Sequence, residues 1–215
     1  MNPSNSLTYA TAHSGDELPD MSSGTVPYIR NYFDTLKTLI DAIDEGEVAE
    51  IASLLFDAYT NNRRLIMCGN GGSGSTSSHM ICDFQKNILL DGGKPFEAIA
   101  LTDSPALLLA WGNDTSFENV FAGQARTWTR KNDVFIAISG SGNSPNVLRA
   151  VEVANELGAI TVGLCGYGGG KLAQLTQKSV VIRKRNMQLV EDLHMVLCHV
   201  LFSALRDRIK GNLAP

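Results

Sequence analysis

The sequence has little cysteine, and its cysteines are far apart. Four occur among the 215 residues, and no two of them form a C-x-x-C pair. Such spacing is typical of reduced thiols in a cytoplasmic protein, because disulfide frameworks and zinc knuckles need clustered cysteines. We therefore expect mostly buried, unpaired thiols, and we interpret Cys82 and Cys198 as small core residues.

Long apolar runs and dense positive charge are also missing. No apolar run approaches the roughly 18 residues of a membrane span, and the N-terminus lacks the basic and apolar segments of a secretory signal. The formal net charge is −4, and no basic patch dense enough to bind a phosphate backbone is present. These absences predict a cytoplasmic globular protein that binds neither membranes nor nucleic acid.

The order of the apolar segments predicts the fold. Residues 1–25 are rich in Ser, Thr, Gly, Asp and Pro and predict a mobile tail, whereas residues 26–215 predict one domain. Helical patterns cover 28–40 and 48–59, with a break at Gly46. Five short apolar runs typical of buried parallel strands then alternate with helical segments. The strands cover 64–68, 96–101, 133–138, 160–164 and 179–182, and the helical segments between them cover 73–87, 105–111, 117–129, 143–157 and 171–175. We expect a doubly wound, mostly parallel five-stranded α/β sheet flanked by helices, with a long C-terminal helix over 188–209.

Two turns rich in glycine and serine each follow a predicted strand and open a helix. They read GNGGSGS from Gly69 and SGSGNS from Ser139. Free amides at a helix N-terminus, together with hydroxyl groups, bind phosphate, and ligands of such sheets lie beyond the carboxyl ends of the strands. Neither turn has the lysine of a Walker loop, and either turn alone is consistent with an ordinary helix cap. Two in one series favour a phosphate site.

Histidines and carboxylates pair by spacing on two predicted helices. His79 and Asp83 are four residues apart, and Glu191 and His199 are eight apart, so each pair shares a helix face. Such groups can transfer protons or bind zinc. An aldose–ketose isomerisation needs one group to remove the proton beside the carbonyl and another to move a proton between the two oxygens. His194 is interpreted as a core histidine.

Four segments resemble, in order and spacing, the signatures of the sugar isomerase (SIS) fold. They are GNGGSGSTSSHMICDF, ALTDSPALLLAWGNDTSFENVF, ISGSGNSPNVLRAVEVANELGAITVGLCGYGGGKLA and VEDLHMVLCHVL. The chain is most similar to the phosphoheptose isomerases, over Pro27 to Arg208. The resemblance implies conversion of sedoheptulose 7-phosphate to D-glycero-D-manno-heptose 7-phosphate through an enediol. It also implies a zinc ion and a homotetramer with active sites at subunit interfaces.

The resemblance further implies roles for individual residues. Asp83 and His199 are expected to exchange the protons. The expected zinc ligands are His79, Asp83, Glu191 and His199. The expected substrate-binding residues are Asn70, Gly71, Gly72, Ser73, Asp103, Asn113, Ser139, Ser141, Ser144 and Glu191.

Three positions depart from the family pattern. The family has Glu at Asp83, Gln at Glu191 and Thr at Gly140. These changes are consistent with an intact site of altered reach or with a different sugar phosphate. The alternatives to a phosphoheptose isomerase are an isomerase for another sugar phosphate, a sugar-phosphate sensor domain, and a non-catalytic relative of the DnaA-binding type.

Overall fold

Two helices open the described part of the chain, which in this computed structural model comprises residues 24–213. Helix α1 spans Thr25–Asp41 and α2 spans Glu45–Thr60. The predicted tail, 1–25, lies outside the described residues except for its last two positions. The expected break at Gly46 is wrong, because Asp44 caps α2 by accepting hydrogen bonds from the amides of Gly46 and Glu47 at 2.9 and 3.2 Å. Gly46 therefore lies in the first turn of α2.

The predicted five-stranded parallel sheet is confirmed. Its strands are β1 (Leu65–Gly69), β2 (Ala98–Ala100), β3 (Val134–Ser139), β4 (Ile160–Gly166) and β5 (Lys178–Ile182). Their order is β2-β1-β3-β4-β5, and all pairs are parallel. From β1 the chain adds β2 on one side of β1 and then β3, β4 and β5 on the other side. The switch point of the sheet therefore lies between β1 and β3. Gly69 pairs with Ile138 there, and both glycine–serine turns therefore emerge side by side.

The helices that follow the strands differ from the prediction in two places. They are α3 (Gly71–Cys82), α4 (Ile88–Leu90), α5 (Pro105–Asp114), α6 (Ala122–Trp128), α7 (Pro145–Glu156), α8 (Leu172–Leu175) and α9 (Met187–Ile209). The helix expected over 73–87 is an α-helix followed by a π turn at Asp83–Asn87. The helix expected over 117–129 begins as a 3₁₀ turn at Phe117–Asn119 and restarts at α6, because Val120 and Phe121 both turn into the core.

The sheet separates two apolar cores. One joins α2, α3 and α9 to one face of the sheet, and the other joins α6 and α7 to the opposite face. By length and mean hydropathy (1.3) α9 is apolar enough to cross a membrane, yet half of that apolar window is buried inside the domain. This is the behaviour of a core helix, so α9 is only weak evidence for a membrane span.

The cysteines are unpaired, as expected, and three of the four are buried. Cys82 is exposed, so its interpretation as a core residue is wrong. It is the last residue of α3 and directly precedes the π turn.

Candidate active site

The first glycine–serine turn leads from β1 into α3. Asn70 precedes the helix, but its side chain makes no cap hydrogen bond with it. Gly71 has φ 52°, a left-handed conformation that glycine adopts without steric cost. The first amides of a helix have no partner within the helix, and its dipole favours negative charge at this end. The start of α3 is therefore suited to an anion.

Asn146 joins the first turn to the second. It lies in the first turn of α7, is almost fully buried, and exchanges two side-chain hydrogen bonds with Asn70. Its Oδ1 also accepts a hydrogen bond from the amide of Val147. The amide of Asn70 is thus already engaged, and its role here is to hold the two turns together.

The second turn supplies hydroxyl groups. The Oγ atoms of Ser139 and Ser144 lie 3.3 Å apart, and Ser141 Oγ accepts a hydrogen bond from the amide of Asn143 at 3.2 Å. A serine hydroxyl that accepts a bond still has its own proton to donate. Ser141 and one member of the Ser139–Ser144 pair can therefore donate to a bound anion.

A cavity of about 200 Å³ lies between the two turns. Eight of the ten predicted substrate-binding residues line it: Asn70, Gly71, Gly72, Ser73, Ser139, Ser141, Ser144 and Glu191. Helix α9 forms the remaining wall with Met187 and Glu191, which are one turn apart. A β-carbon at Gly140 would overlap the Met187 sulfur, and one at Gly72 would overlap the Glu191 carboxylate. Both glycines thus let α9 approach the turns, and Met187 occupies the space that a side chain at position 140 would need.

The charge in this cavity is unusual for an anion site. Glu191 brings a carboxyl group beside Gly72 at the N-terminus of α3. Partial burial, with a smaller contribution from Asp192, raises the pKa of Glu191 above its usual value. The N-terminus of α3 and this carboxyl group face the same cavity.

A second constellation lies further along α3 and α9. The Nε2 atoms of His79 and His199 are 2.9 Å apart. Asp83 Oδ2 lies 3.7 Å from His79 Nε2 and 3.8 Å from His199 Nε2. The two imidazoles are about half exposed, whereas the Asp83 side chain is 18% exposed. Two bases and a carboxylate from two helices thus converge on one point, and we call this group the His–Asp–His trio.

The trio fits a zinc ion by its donors. One ligand atom from each of its three members lies within 4.8 Å of the other two. Two imidazole nitrogens and a carboxylate oxygen are ligands that catalytic zinc uses, with a fourth position left open. The short approach of two Nε2 atoms suits two lone pairs directed at one cation as well as it suits a hydrogen bond.

The trio and the cavity are two helical turns apart. Gly72 precedes His79 by seven residues on α3, and Glu191 precedes His199 by eight on α9. At about 1.5 Å per residue, this places them roughly 10–12 Å apart along the two helices. An anion in the cavity would therefore lie at one end of an elongated site, with the trio at the other.

Comparisons with known proteins agree with this arrangement. A family model described as the SIS domain matches residues 28–166. The phosphoheptose isomerase of Geotalea daltonii is 35% identical over 166 residues, which are 77% of this chain and 86% of that protein. That of Aneurinibacillus thermoaerophilus is 30% identical over 191 residues, which are 86% of this chain and 96% of that protein. The chain belongs to the phosphoheptose isomerase family of SIS-domain proteins.

Solved structures of the family have the same fold. The phosphoheptose isomerase of Neisseria gonorrhoeae superposes with a TM-score of 0.77 at 27% identity, covering 84% of this chain and 95% of that one. A phosphoheptose isomerase of Francisella tularensis gives the same TM-score at 26% identity, covering 85% and 98%. The resemblance seen in the sequence is thereby confirmed.

Two predicted site residues of this family member lie elsewhere than expected, and a third, Glu191, lies where one of its two predicted roles places it but not the other. Glu191 faces the cavity and is not part of the metal-binding group found among the described residues. Asp103 accepts a hydrogen bond from Ser78 Oγ, and Asn113 donates to its neighbour Asp114 at 2.8 Å. Neither Asp103 nor Asn113 lines the cavity.

Two residues at the site were not singled out from the sequence. Asn146 lies two residues beyond the second turn, and the available signal was an asparagine whose spacing places it on the apolar face of the next helix. Met187 is unmarked in the sequence, because an apolar residue at the start of a helix is ordinary. Only the close approach of α9 to Gly140 identifies it.

Proposed function

We propose that this protein interconverts sedoheptulose 7-phosphate and D-glycero-D-manno-heptose 7-phosphate. The observation that carries the proposal is the His–Asp–His trio, set two helical turns from a cavity built of two helix N-termini and serine hydroxyls. Family membership supports the same reaction class. An open-chain sugar phosphate can place its phosphate in the cavity and its carbonyl carbon at the trio.

The phosphate end would be bound mainly by neutral donors. The free amides at the start of α3 and the hydroxyls of Ser141 and Ser144 point to one cavity. Such preorganised donors hold an anion without a lysine or arginine. The Glu191 carboxyl group lines the same cavity.

The trio would carry the proton transfers. The Asp83 carboxylate removes a proton from C1 of the ketose, and His199 donates a proton to the carbonyl oxygen on C2, which gives an enediol. His199 then takes the hydroxyl proton from O1 while Asp83 returns a proton to C2, so that the aldehyde forms at C1. General acid–base catalysis of this kind contributes about 10²–10⁴-fold. His79, Asp83 and His199 would also be the zinc ligands. With zinc held there, the metal would polarise the substrate oxygens, and His199, whose ring nitrogen is then a ligand atom, would not donate a proton.

The active unit would be a homotetramer in the cytoplasm. Apolar side chains on α1 and α5, among them Phe33 and Leu109, are exposed in the single subunit. Clusters of exposed apolar side chains are typical of subunit interfaces. Asp103 and Asn113 lie at the two ends of the α5 segment, and a neighbouring subunit's cavity is where they would act.

The test is turnover of sedoheptulose 7-phosphate, with and without zinc, followed by NMR in deuterated water. We expect an aldose 7-phosphate to form, with solvent deuterium appearing at the carbon beside the carbonyl. Asp83→Asn and His199→Gln should each lower kcat by 10²-fold or more. Asp91→Asn is the control, because Asp91 pairs with Lys210 on the adjoining segment.

Near-normal turnover in both trio variants would contradict the proposed roles. Binding of the sugar phosphate without turnover would favour a sensor or a protein-binding relative. Turnover of a different sugar phosphate instead would keep the chemistry and change the substrate.

A further inference from the structure

The two carboxylate oxygens of Asp83 have different partners. Oδ2 lies 3.7 and 3.8 Å from the Nε2 atoms of His79 and His199. Oδ1 accepts a hydrogen bond of 2.8 Å from Nδ2 of Asn87. Oδ2 therefore faces the two imidazoles, whereas Oδ1 is held by the side-chain amide of Asn87.

The local backbone brings Asn87 to this position. Asp83 and Asn87 are the first and last residues of the π turn that follows α3. Both side chains are only partly exposed. Residues four apart lie on the same side of a helix. The side-chain amide of Asn87 therefore reaches the carboxylate of Asp83.

The side chain of Asn87 does not cap the helix that follows it. Asn87 precedes the short helix α4, but its side chain makes no cap hydrogen bond there. Among the described residues, the hydrogen bond that its side chain makes is the one to Asp83. An Asp carboxylate rotates broadly about its last torsion, so a carboxylate that must present one oxygen to two imidazoles benefits from an external restraint.

We propose that Asn87 is a positioning residue that holds Asp83 in the orientation required by the trio. By restraining Oδ1, it directs Oδ2 to the point where the two imidazoles converge. It thereby sets the affinity of the trio for zinc and the alignment of Asp83 with the substrate carbon. This inference rests on the proposed function for its catalytic part, while its effect on metal binding can be measured without any substrate.

The experiment compares Asn87→Ala with Asn61→Ala. Asn61 is a matched control, because its Nδ2 donates to Asp57 Oδ1, also four residues earlier, at 2.7 Å on α2. Both variants lose the same kind of asparagine–aspartate bond, but only one loses it at the trio. Zinc affinity of each metal-free protein is measured by competition with a chromophoric chelator, and the cobalt-loaded proteins are compared by visible absorption.

We expect Asn87→Ala to bind zinc 10–100-fold more weakly than the parent protein, the range typical for loss of a hydrogen bond to a metal ligand. Its cobalt spectrum should change, and its KM should stay within a factor of about three while kcat falls. Asn61→Ala should match the parent in all three measurements. Asn87→Gln, which keeps an amide donor, should recover part of the lost affinity.

The outcomes separate this inference from the proposed function. Unchanged zinc affinity and an unchanged cobalt spectrum in Asn87→Ala would overturn the positioning role, even if the parent turns over the heptose phosphate. A parent that binds no zinc would overturn it as well. Weaker zinc binding in Asn87→Ala, with no turnover by the parent, would support the positioning role and refute the proposed function.

Discussion

Asn70 and Asn146 exchange two amide hydrogen bonds, in which Nδ2 of each residue lies 2.9 or 2.8 Å from Oδ1 of the other. The pair spans the switch point of the sheet and joins the turns that follow β1 and β3. A reciprocal bond of this kind fixes the separation of the turns, and so the width of the cavity between them.

Removal of Asn146 should therefore weaken substrate binding more than it weakens the fold. We expect Asn146→Ala to raise the KM for the sugar phosphate about tenfold, which corresponds to about 1.4 kcal/mol and to the net loss of one or two hydrogen bonds. Asn155→Ala is the control at the other end of α7, where Asn155 donates to the carbonyl of Leu175 at 3.0 Å. An equal rise in KM in both variants would show that the pair has no special role.

The contact between Gly140 and Met187 predicts coupled effects. Gly140→Ala places a methyl group on the Met187 sulfur and should lower kcat/KM about tenfold. Met187→Ala makes room for that methyl group, so the double variant should be less impaired than the two single effects combined, with a coupling of about 0.5–3 kcal/mol.

The control for the Gly140→Ala substitution is Gly168→Ala, since nothing lies within 4 Å of a β-carbon at that position. Simple additivity in the double variant would mean that Met187 does not limit the size of residue 140. The kcat/KM of the parent, the two single variants and the double variant is measured by steady-state kinetics, after their folded stabilities have been shown to match.

His194 should make stability depend on pH. The residue is fully buried on α9. Burial lowers the pKa of His194 from 6.5 to about 4. Between these values the unfolded chain binds the proton and the folded one does not, so stability is fully present above pH 6.5 and falls toward pH 4.

The measurement is urea unfolding of the parent and of His194→Leu at pH 7.5 and 4.5. We expect the parent to lose on the order of 2 kcal/mol more than the variant over this interval. Parallel losses in the two proteins would show that the stability of the fold does not depend on keeping His194 neutral.

The exposed apolar stripe of α1 predicts self-association. Val26, Ile29, Phe33 and Ile40 are each 45–76% exposed, and their spacing of three, four and seven residues places them on one side of the helix. Phe33→Glu should shift the protein from a tetramer to smaller species in sedimentation velocity, because it places a charge in an apolar contact. Thr38→Glu, on an exposed polar side of α1, should leave the tetramer intact. A monomeric parent would contradict the expectation.

The sequence predicted the sheet well because its strands are buried on both faces and so read as short apolar runs. It predicted the two turns because a segment rich in glycine and serine that follows an apolar run is typical of a turn and not of a strand or helix interior. It could not show that Glu191 faces Gly72 and not the histidines, since spacing of eight residues on α9 fixes a shared face but no partner. The π turn at Asp83 was also hidden, because its residues are compatible with a regular helix.

The exposure of Cys82 allows the protein to be labelled at a single thiol. The other three cysteines are buried, and burial raises the pKa of the Cys165 and Cys198 thiols to about 12, so they react slowly with alkylating reagents. Cys82 is exposed and directly precedes Asp83. The unmodified protein thus carries a natural attachment point for one fluorophore per subunit, close enough to the trio to report events there.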